Sequence, residues 1–321
     1  MNAALVSAII PTFNRAGVLP AAIDSVIAQT YPCVEIIVVD DGSTDETSSV
    51  VARYGSRVRS LRQPNGGVSA ARNAGLGISR GDIIAFLDSD DLWLPGKLQR
   101  QVALLDRAGP DIPCCISNMK LAYADGRRGT SFDLSLLDCH LCEGLWVNVL
   151  SVLATRFVLF NQCVAIRRGA LEKIGGFDEG CLYMEDYDLA MRLALLGPWA
   201  FTAEPLAVWN EGSSGSLTAR AAADKPRLQK TILDIHRKVG TLAGESAKCA
   251  TAPAQLAFER GRLRVRLKAA VMASRASVTQ RTLGRSLGLI ERLADKLYTN
   301  SPLYPKMLAL PLAASGKPIT R

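Results

Sequence analysis

The chain has 321 residues, and its 48% hydrophobic against 21% charged content excludes a disordered polymer. Its net charge of +8 is unevenly placed: Arg220 to Arg321 carries 20 Lys+Arg and 6 Asp+Glu, a surplus of +14, and the remainder stands at −6. No uninterrupted apolar stretch reaches the roughly 18 residues of a membrane span; Leu145 to Ile166 is broken by Asn148, Arg156, Asn161 and Gln162. Eight irregularly spaced cysteines are too sparse for a disulfide scaffold and predict reduced thiols in a cytosolic setting. Cys139-His140-Leu141-Cys142 lacks the second ligand pair that structural zinc needs.

The first hundred residues alternate apolar runs with helical periodicity. Leu5 to Ile10 reads as a strand and not as a targeting segment, and it ends in the polar turn Pro11-Thr12-Phe13-Asn14-Arg15. Leu19, Ile23, Val26 and Ile27 mark one face of a helix over 18–29. Val34 to Val39 is a second strand, ending at Asp40-Asp41-Gly42-Ser43. Ser43 followed by Glu46 has capping-box spacing and predicts a helix from Thr44 towards Arg53. A short polar strand over 57–62, a loop at Gln63-Pro64-Asn65-Gly66-Gly67 and a helix over 68–79 follow. Ile83 to Leu87 is a buried strand that runs into Asp88-Ser89-Asp90-Asp91. Three carboxylates in four residues repel one another unless a cation sits among them. The same residues also suit a solvated turn in which Asp91 caps the next helix, with Pro95 in its first turn.

This β-α-β-α-β-α-β order predicts a mostly parallel sheet covered on both faces, with ligands bound beyond the carboxyl ends of the strands. Asn14/Arg15, Asp40/Asp41 and Asp88/Asp90 all fall at such ends and should converge. Acidic groups beside Arg72 suit a substrate with phosphates and hydroxyls: carboxylates hold a divalent cation, and the guanidinium pairs with phosphate or orients a carboxylate. No Gly-x-Gly-x-x-Gly follows the first strand and no Gly-Lys-Ser/Thr loop is present, so dinucleotide and P-loop readings are poor.

Four blocks then resemble family 2 glycosyltransferases in order and spacing: Val6 to Arg15, Ile37 to Asp45, Asn65 to Gly75 and Phe86 to Asp91. The resemblance implies the GT-A fold, a Rossmann-like mostly parallel α/β sheet flanked by helices. It implies a nucleotide-diphospho-sugar donor, UDP-sugar favoured, held by Pro11, Thr12, Asn14, Arg15, Asp41, Asn65, Arg72, Asp88 and Ser89. It also implies a divalent metal ion, Mn²⁺ or Mg²⁺, on Asp88 and Asp90, with Asp90 the more direct contact. Pro11 and Asp41 would help to hold the nucleoside.

Further along, an amphipathic helix is predicted over 94–108, short strands over 112–118 and 120–123, and a hairpin turn at Asp125-Gly126. Residues 145–160 read as a buried helix or strand pair. Gly175-Gly176-Phe177-Asp178-Glu179 and Glu185-Asp186-Tyr187-Asp188-Leu189, with Arg192 beyond, resemble further family segments, with Glu185 and Asp186 in the first turn of a helix. That resemblance assigns catalysis to Asp186 and Glu185, with Asp186 as general base and inversion at the anomeric carbon. One departure stands out. Many relatives place a His about twenty to thirty residues after the base, whereas Val208 to Ser216 has none, and Asn210 or Glu211 is the substitute at hand. The Gly/Ser run 212–216 suits a mobile lid or a plain linker.

Beyond Ala219 the family blocks stop. Helices are predicted over 226–239, 254–274 and 278–297, with a basic run from Arg260 to Lys268 and an apolar, proline-punctuated end at 302–312. This extension suits either a monotopic anchor on an anionic membrane or an appendage packed on the catalytic domain. No aromatic interleaving supports nucleic acid as a partner. The predicted organisation is a nucleotide-sugar-binding half over 1–110, an acceptor-binding half over 111–218 and a helical basic extension over 219–321. The expected reaction is sugar transfer to a hydroxyl of a glycan or lipid-linked acceptor in cell-surface polysaccharide biosynthesis. The expected place is the cytoplasm, peripheral on the inner face of the plasma membrane. The rivals are a sugar-nucleotide nucleotidyltransferase and a non-catalytic, membrane-associated nucleotide-sugar-binding protein.

Overall fold

A computed structural model describes residues 3–211 except 136, 138, 155, 157, 159 and 160; 220–245 except 222; and 307–312. Its first half follows the sequence pattern closely. Strand β1 (Val6–Thr12) leads through α1 (Leu19–Ile27) to β2 (Val34–Asp40), and α2 (Thr47–Ala52) leads to β3 (Arg59–Arg62). Helix α3 (Val68–Ile78) leads to β4 (Ile83–Phe86). β1 pairs in parallel with both β2 and β4, and β2 with β3. The register sets Thr12 opposite Asp40 and Ile9 opposite Phe86, so the polar ends of all three strands emerge on one edge. β1 and β4 are buried throughout, as continuous apolar strands covered on both faces require.

The second half adds β5 (Leu92–Trp93), α4 (Lys97–Ala108), β6 (Cys114–Ala122), β7 (Arg128–Thr130), α5 (Ser131–Leu134), β8 (Glu143–Trp146) and α6 (Val149–Leu153). After these come β9 (Val164–Arg167), α7 (Arg168–Ile174), α8 (Glu185–Leu193), β10 (Trp199–Asn210), α9 (Lys225–Glu245) and β11 (Ala309–Leu310). The strands join in one sheet of order β11-β8-β10-β6-β9-β4-β1-β2-β3, with β5 on β10 and β7 on β6. β10 and β6 are parallel, while β9 joins β4 to β6 antiparallel to each and so fuses the two halves into one core.

Several local expectations are corrected. The capping box does not form: α2 starts at Thr47, because the Ser43 hydroxyl accepts the Asn14 N–H (2.9 Å) and Asp45 accepts the Thr47 N–H (3.0 Å). Asp91 caps no helix, since Leu92-Trp93 pairs with Ala207-Val208 and delays α4 to Lys97. The two strands expected over 112–123 are one, β6, with Asn118 inside it. The Asn118 amide oxygen accepts from Met119 N and Phe132 N and from the Ser131 hydroxyl, so the polar residue is absorbed without ending the strand. Residues 145–160 supply both a strand end and a helix, β8 and α6.

In the extension, the helix expected over 226–239 is α9, which buries Ile235, His236, Val239 and Ala243 against the domain. Over 307–312 the apolar end is partly packed on the domain: Met307 and Ala309 are buried and β11 pairs with β8, while Leu308 is exposed. The lid or linker at 212–216, the helices expected over 254–274 and 278–297 and the basic run 260–268 lie outside the described residues. Among the described residues no helix is long and apolar enough to cross a membrane.

Candidate active site

Arg72 is the hub. It lies on α3, is 1% exposed, and reaches between the two halves. Nη1 donates to Glu185 Oε1 (2.8 Å) and Nη2 to Asp88 Oδ1 (2.6 Å). In the orientation that satisfies both partners, the Asn161 amide oxygen accepts from the same two nitrogens. The guanidinium lies 5.1 Å from the centre of the Phe177 ring, which meets Phe86 edge-on at 5.0 Å. Burial opposes the charge on Arg72, but Asp88 and Glu185 outweigh it and raise its pKa further.

Gln162 is the second organiser. Its amide nitrogen donates to Asp88 Oδ2 (2.6 Å) and Asp91 Oδ2 (2.5 Å), so both oxygens of Asp88 are engaged. Asp91 Oδ1 accepts the Asn210 N–H (2.9 Å), and the Asn210 side chain donates to the Asp90 carbonyl (2.8 Å). Asn210 thus ties the end of β10 to the acidic turn, in the region where the family resemblance led to the expectation of a His. Glu211 instead accepts the Ala124 N–H (2.7 Å), beside the β6–β7 hairpin.

Among the described residues, three carboxylates of the site lack a close cation. Asp90 has Arg15 at 3.9 Å, and burial together with the charge of Asp88 raises its pKa. Among the described residues Asp186 accepts only the neighbouring Tyr187 N–H (2.8 Å), and burial followed by the charge of Glu185 raises its pKa. Asp91 is pushed up to about 8 by burial and then by Asp88. Four carboxylates, at 88, 90, 185 and 186, therefore share two guanidiniums, of Arg72 and Arg15, while Asp91 keeps its proton at neutral pH. This deficit of positive charge fits a divalent cation, and Asp90 has the oxygens to spare. Among the described residues no cluster of three His, Cys, Asp or Glu is gathered for a metal, so a cation here would take further oxygens from a bound diphosphate.

The donor-side residues line the ends of β1, β2 and β4. Asn14 has φ +52, and its amide oxygen accepts the Thr44 N–H (2.8 Å), clamping the β1 turn to the turn after β2. Arg15 N donates to Thr47 Oγ1 (3.0 Å). Pro11, Thr12 and Ser89 are buried and Asn65 is exposed on its loop. Thr12 Oγ1 is buried without a hydrogen-bond partner. Asp41 Oδ1 accepts from Gln63 Nε2 and Gly66 N, and Oδ2 from Gly67 N, so this carboxylate shapes the 63–67 loop and keeps one lone pair for a ligand.

α8 presents Glu185 and Asp186 in its first turn after Met184, whose φ is +62. Asn14 and Met184 are the two non-glycine residues with positive φ among the described residues, and each stands next to the site, where such strain concentrates. The structure thus joins Arg72, Asp88 and Glu185 directly, with Asp90 and Asp186 beside them; Asp41 and Asn65 stand off on the loop side. Sequence reasoning missed Asn161 and Gln162 as site residues. Their signal was two adjacent amides in an otherwise apolar stretch, since buried polar side chains need partners.

The glycosyl transferase family 2 model matches residues 7–127. An uncharacterized glycosyltransferase of Rickettsia prowazekii is 34% identical over 58% of this chain and 57% of its own length, so the chain spans little more than half of that relative. An Escherichia coli protein, WfgD, named UDP-Glc:alpha-D-GlcNAc-diphosphoundecaprenol beta-1,3-glucosyltransferase, is 40% identical over 33% of this chain and 42% of its own. The structure of S. aureus TarS 1-349 with UDP-GlcNAc superposes with a TM-score of 0.63 at 19% identity, covering 82% of this chain and 73% of that one. The segment 7–127 is therefore a glycosyl transferase family 2 domain, in a chain with the GT-A fold.

Proposed function

We propose that this chain is an inverting glycosyltransferase that moves a sugar from a nucleotide-diphospho-sugar, a UDP-sugar in the first instance, to a hydroxyl of a glycan or lipid-linked acceptor. One observation carries the reading: Arg72 takes up Glu185 and Asp88, and leaves Asp186 and Asp90 beside them without a close cation. A carboxylate with a raised pKa next to a cation-seeking carboxylate is what transfer needs on its two sides. Asp186 accepts the acceptor's hydroxyl proton as its oxygen bonds to the anomeric carbon. The bond from that carbon to the diphosphate breaks, and the nucleoside diphosphate leaves with the electron pair. Glu185, fixed by Arg72, sets the position and charge of Asp186.

Asp90 would hold the cation, with Asp88 kept in place by Arg72 and Gln162. When bound, the ion supplies Lewis-acid stabilisation of the leaving diphosphate. Asp41, Asn65, Pro11, Thr12, Asn14, Arg15 and Ser89 would frame the nucleoside and diphosphate at the strand ends. The UDP-sugar preference is supported by the UDP-Glc in the name of WfgD and the UDP-GlcNAc bound to TarS. The lipid-linked acceptor, and a role in surface polysaccharide assembly, draw on the diphosphoundecaprenol in the former's name.

The test is a panel of UDP-, GDP- and dTDP-sugars with and without Mn²⁺, on wild type and Asp186→Asn. Metal-dependent release of one nucleoside diphosphate, abolished by the substitution, supports the reading. Nucleoside triphosphate formed from pyrophosphate moves the assignment to a nucleotidyltransferase. The basic surplus after Arg220 is read as contact with an anionic membrane, where a lipid-linked acceptor resides. Sedimentation with phosphatidylglycerol vesicles, lost in high salt, is the expected outcome; equal binding to neutral vesicles contradicts it.

A further inference from the structure

Among the contacts of α9 with the domain, one is an ion-pair bridge made by a lysine. Lys238, on α9, places Nζ 2.7 Å from Asp178 Oδ2 and 2.9 Å from Asp188 Oδ1. These two carboxylates belong to different structures. Asp178 follows Phe177, whose ring covers Arg72, and whose N–H and carbonyl are both held by the Asn73 amide (2.9 and 3.0 Å). Asp188 stands on α8, two residues beyond Asp186, with a side chain only 1% exposed. Arg192 secures its other oxygen from within the helix, through Nε (2.8 Å) and Nη2 (2.5 Å). Nearby on α9, buried His236 meets the Tyr187 hydroxyl at 2.9 Å, and that hydroxyl also donates to the Leu153 carbonyl.

We infer that Lys238 is a positioning residue for the reaction: it fixes the start of α8 against the 175–179 turn, so that Asp186 and Glu185 stand at a set distance from the Arg72–Asp88 pair. The inference rests on the transferase reading above. Lys238 itself is 37% exposed and Asp178 43%, so as a surface pair they contribute little to stability. Their effect is geometric. Arg192 ties α8 to the near end of the turn, its Nη1 donating to the Ile174 carbonyl (2.6 Å), whereas Lys238 bonds Asp178 within the turn and Asp188 on α8 and so adds a second, independent hold. Arg72 then holds Glu185 and Lys238 holds Asp188 three residues further along α8, with Asp186 between them in the chain. The contact also gives a local use to the charge asymmetry, a basic extension meeting an acidic catalytic half.

Lys238→Met and Lys238→Arg in the full chain test this, with UDP release from UDP-GlcNAc and UDP-glucose in Mn²⁺ and with hydrogen exchange of the α8 amides in the absence of donor. Lys238→Met is expected to lower kcat about tenfold with donor KM within about twofold. It is also expected to speed exchange over 185–189 by about tenfold at an unchanged folded fraction. Lys238→Arg restores most of both, because it keeps the charge and reach. Unchanged α8 exchange in Lys238→Met overturns the inference whatever the turnover. A kcat that falls only in step with the folded fraction, or equal loss in Lys238→Arg, also overturns it. Absence of nucleoside diphosphate release from the wild type with every UDP-, GDP- and dTDP-sugar, with the α8 effect intact, overturns the reading of the reaction while leaving the contact itself demonstrated.

Discussion

At the scale of single residues, the site is a set of acids sorted by their partners. Asp88 is immobilised by Arg72 and Gln162, Glu185 by Arg72, and Asp91 by Gln162 and Asn210. Asp90→Asn is expected to raise the Mn²⁺ concentration needed for half-maximal turnover at least tenfold, measured by metal titration of UDP release. An unchanged requirement would remove Asp90 from the cation's neighbourhood. The raised pKa of Asp186 gives a signed pH profile: as base it acts deprotonated, so kcat climbs with pH across the neutral range and then levels.

Asp91 gives a second sign. Folded, it keeps its proton to about pH 8; unfolded, it loses it near 3.8. The folded state binds more protons between these values, so stability falls as pH rises through that window in the absence of a divalent cation. Urea midpoints should drop from pH 5 to pH 8.5, and Asp91→Asn should flatten the slope. The residues, though not their pairing, were legible beforehand: Asp88, Asp90 and Arg72 stood out by type at strand or helix ends, and Glu185 and Asp186 through the family resemblance. The hold of Gln162 on Asp88 was not, since contacts between residues 74 positions apart leave no local trace.

At the scale of elements, tight backbone approaches hold the two catalytic helices. α3 presses on β1 so closely that a Cβ on Gly75 would lie 2.5 Å from Ile9 Cγ2. Gly176, at φ +68, would bring a Cβ within 2.8 Å of the Asn73 amide oxygen that holds Phe177. Gly176→Ala should therefore cost about 1–3 kcal/mol in stability, read from denaturant midpoints, and lower turnover by loosening the cover of Arg72. A neutral result would show that the turn relaxes freely. The elements of the first half were readable because buried parallel strands are continuous apolar runs and each is followed by an amphipathic helix. Where side chains competed for backbone groups, reading failed. Ser43 looked like a cap until Asn14, 29 residues away, claimed it; Asn118 looked like a strand break until its amide was shared among three donors.

At the scale of the whole molecule, the described parts of the extension meet the rest of the chain through α9 and β11. α9 docks on α8, and β11 extends the sheet by pairing with β8. Truncation after residue 306 would expose the edge of β8 and the sites of Met307 and Ala309. Lower thermal stability and concentration-dependent light scattering are expected, because an uncovered strand edge invites pairing with another chain. This docking was the least legible part of the fold. Composition marked 219–321 as different, but which segments pack depends on partners such as Asp178 and Asp188, about 50 to 60 positions away in the chain.

The division of labour between Asp186 and the residues that hold the donor is tested most directly by Asp186→Asn. Binding of UDP with Mn²⁺ by calorimetry is measured beside steady-state turnover of a UDP-sugar. The account predicts UDP affinity within about twofold of wild type and turnover reduced about 10²–10⁴-fold, as removal of a general base does. Turnover that persists within tenfold of wild type, or parallel loss of binding and turnover, would contradict the assignment of Asp186 as base.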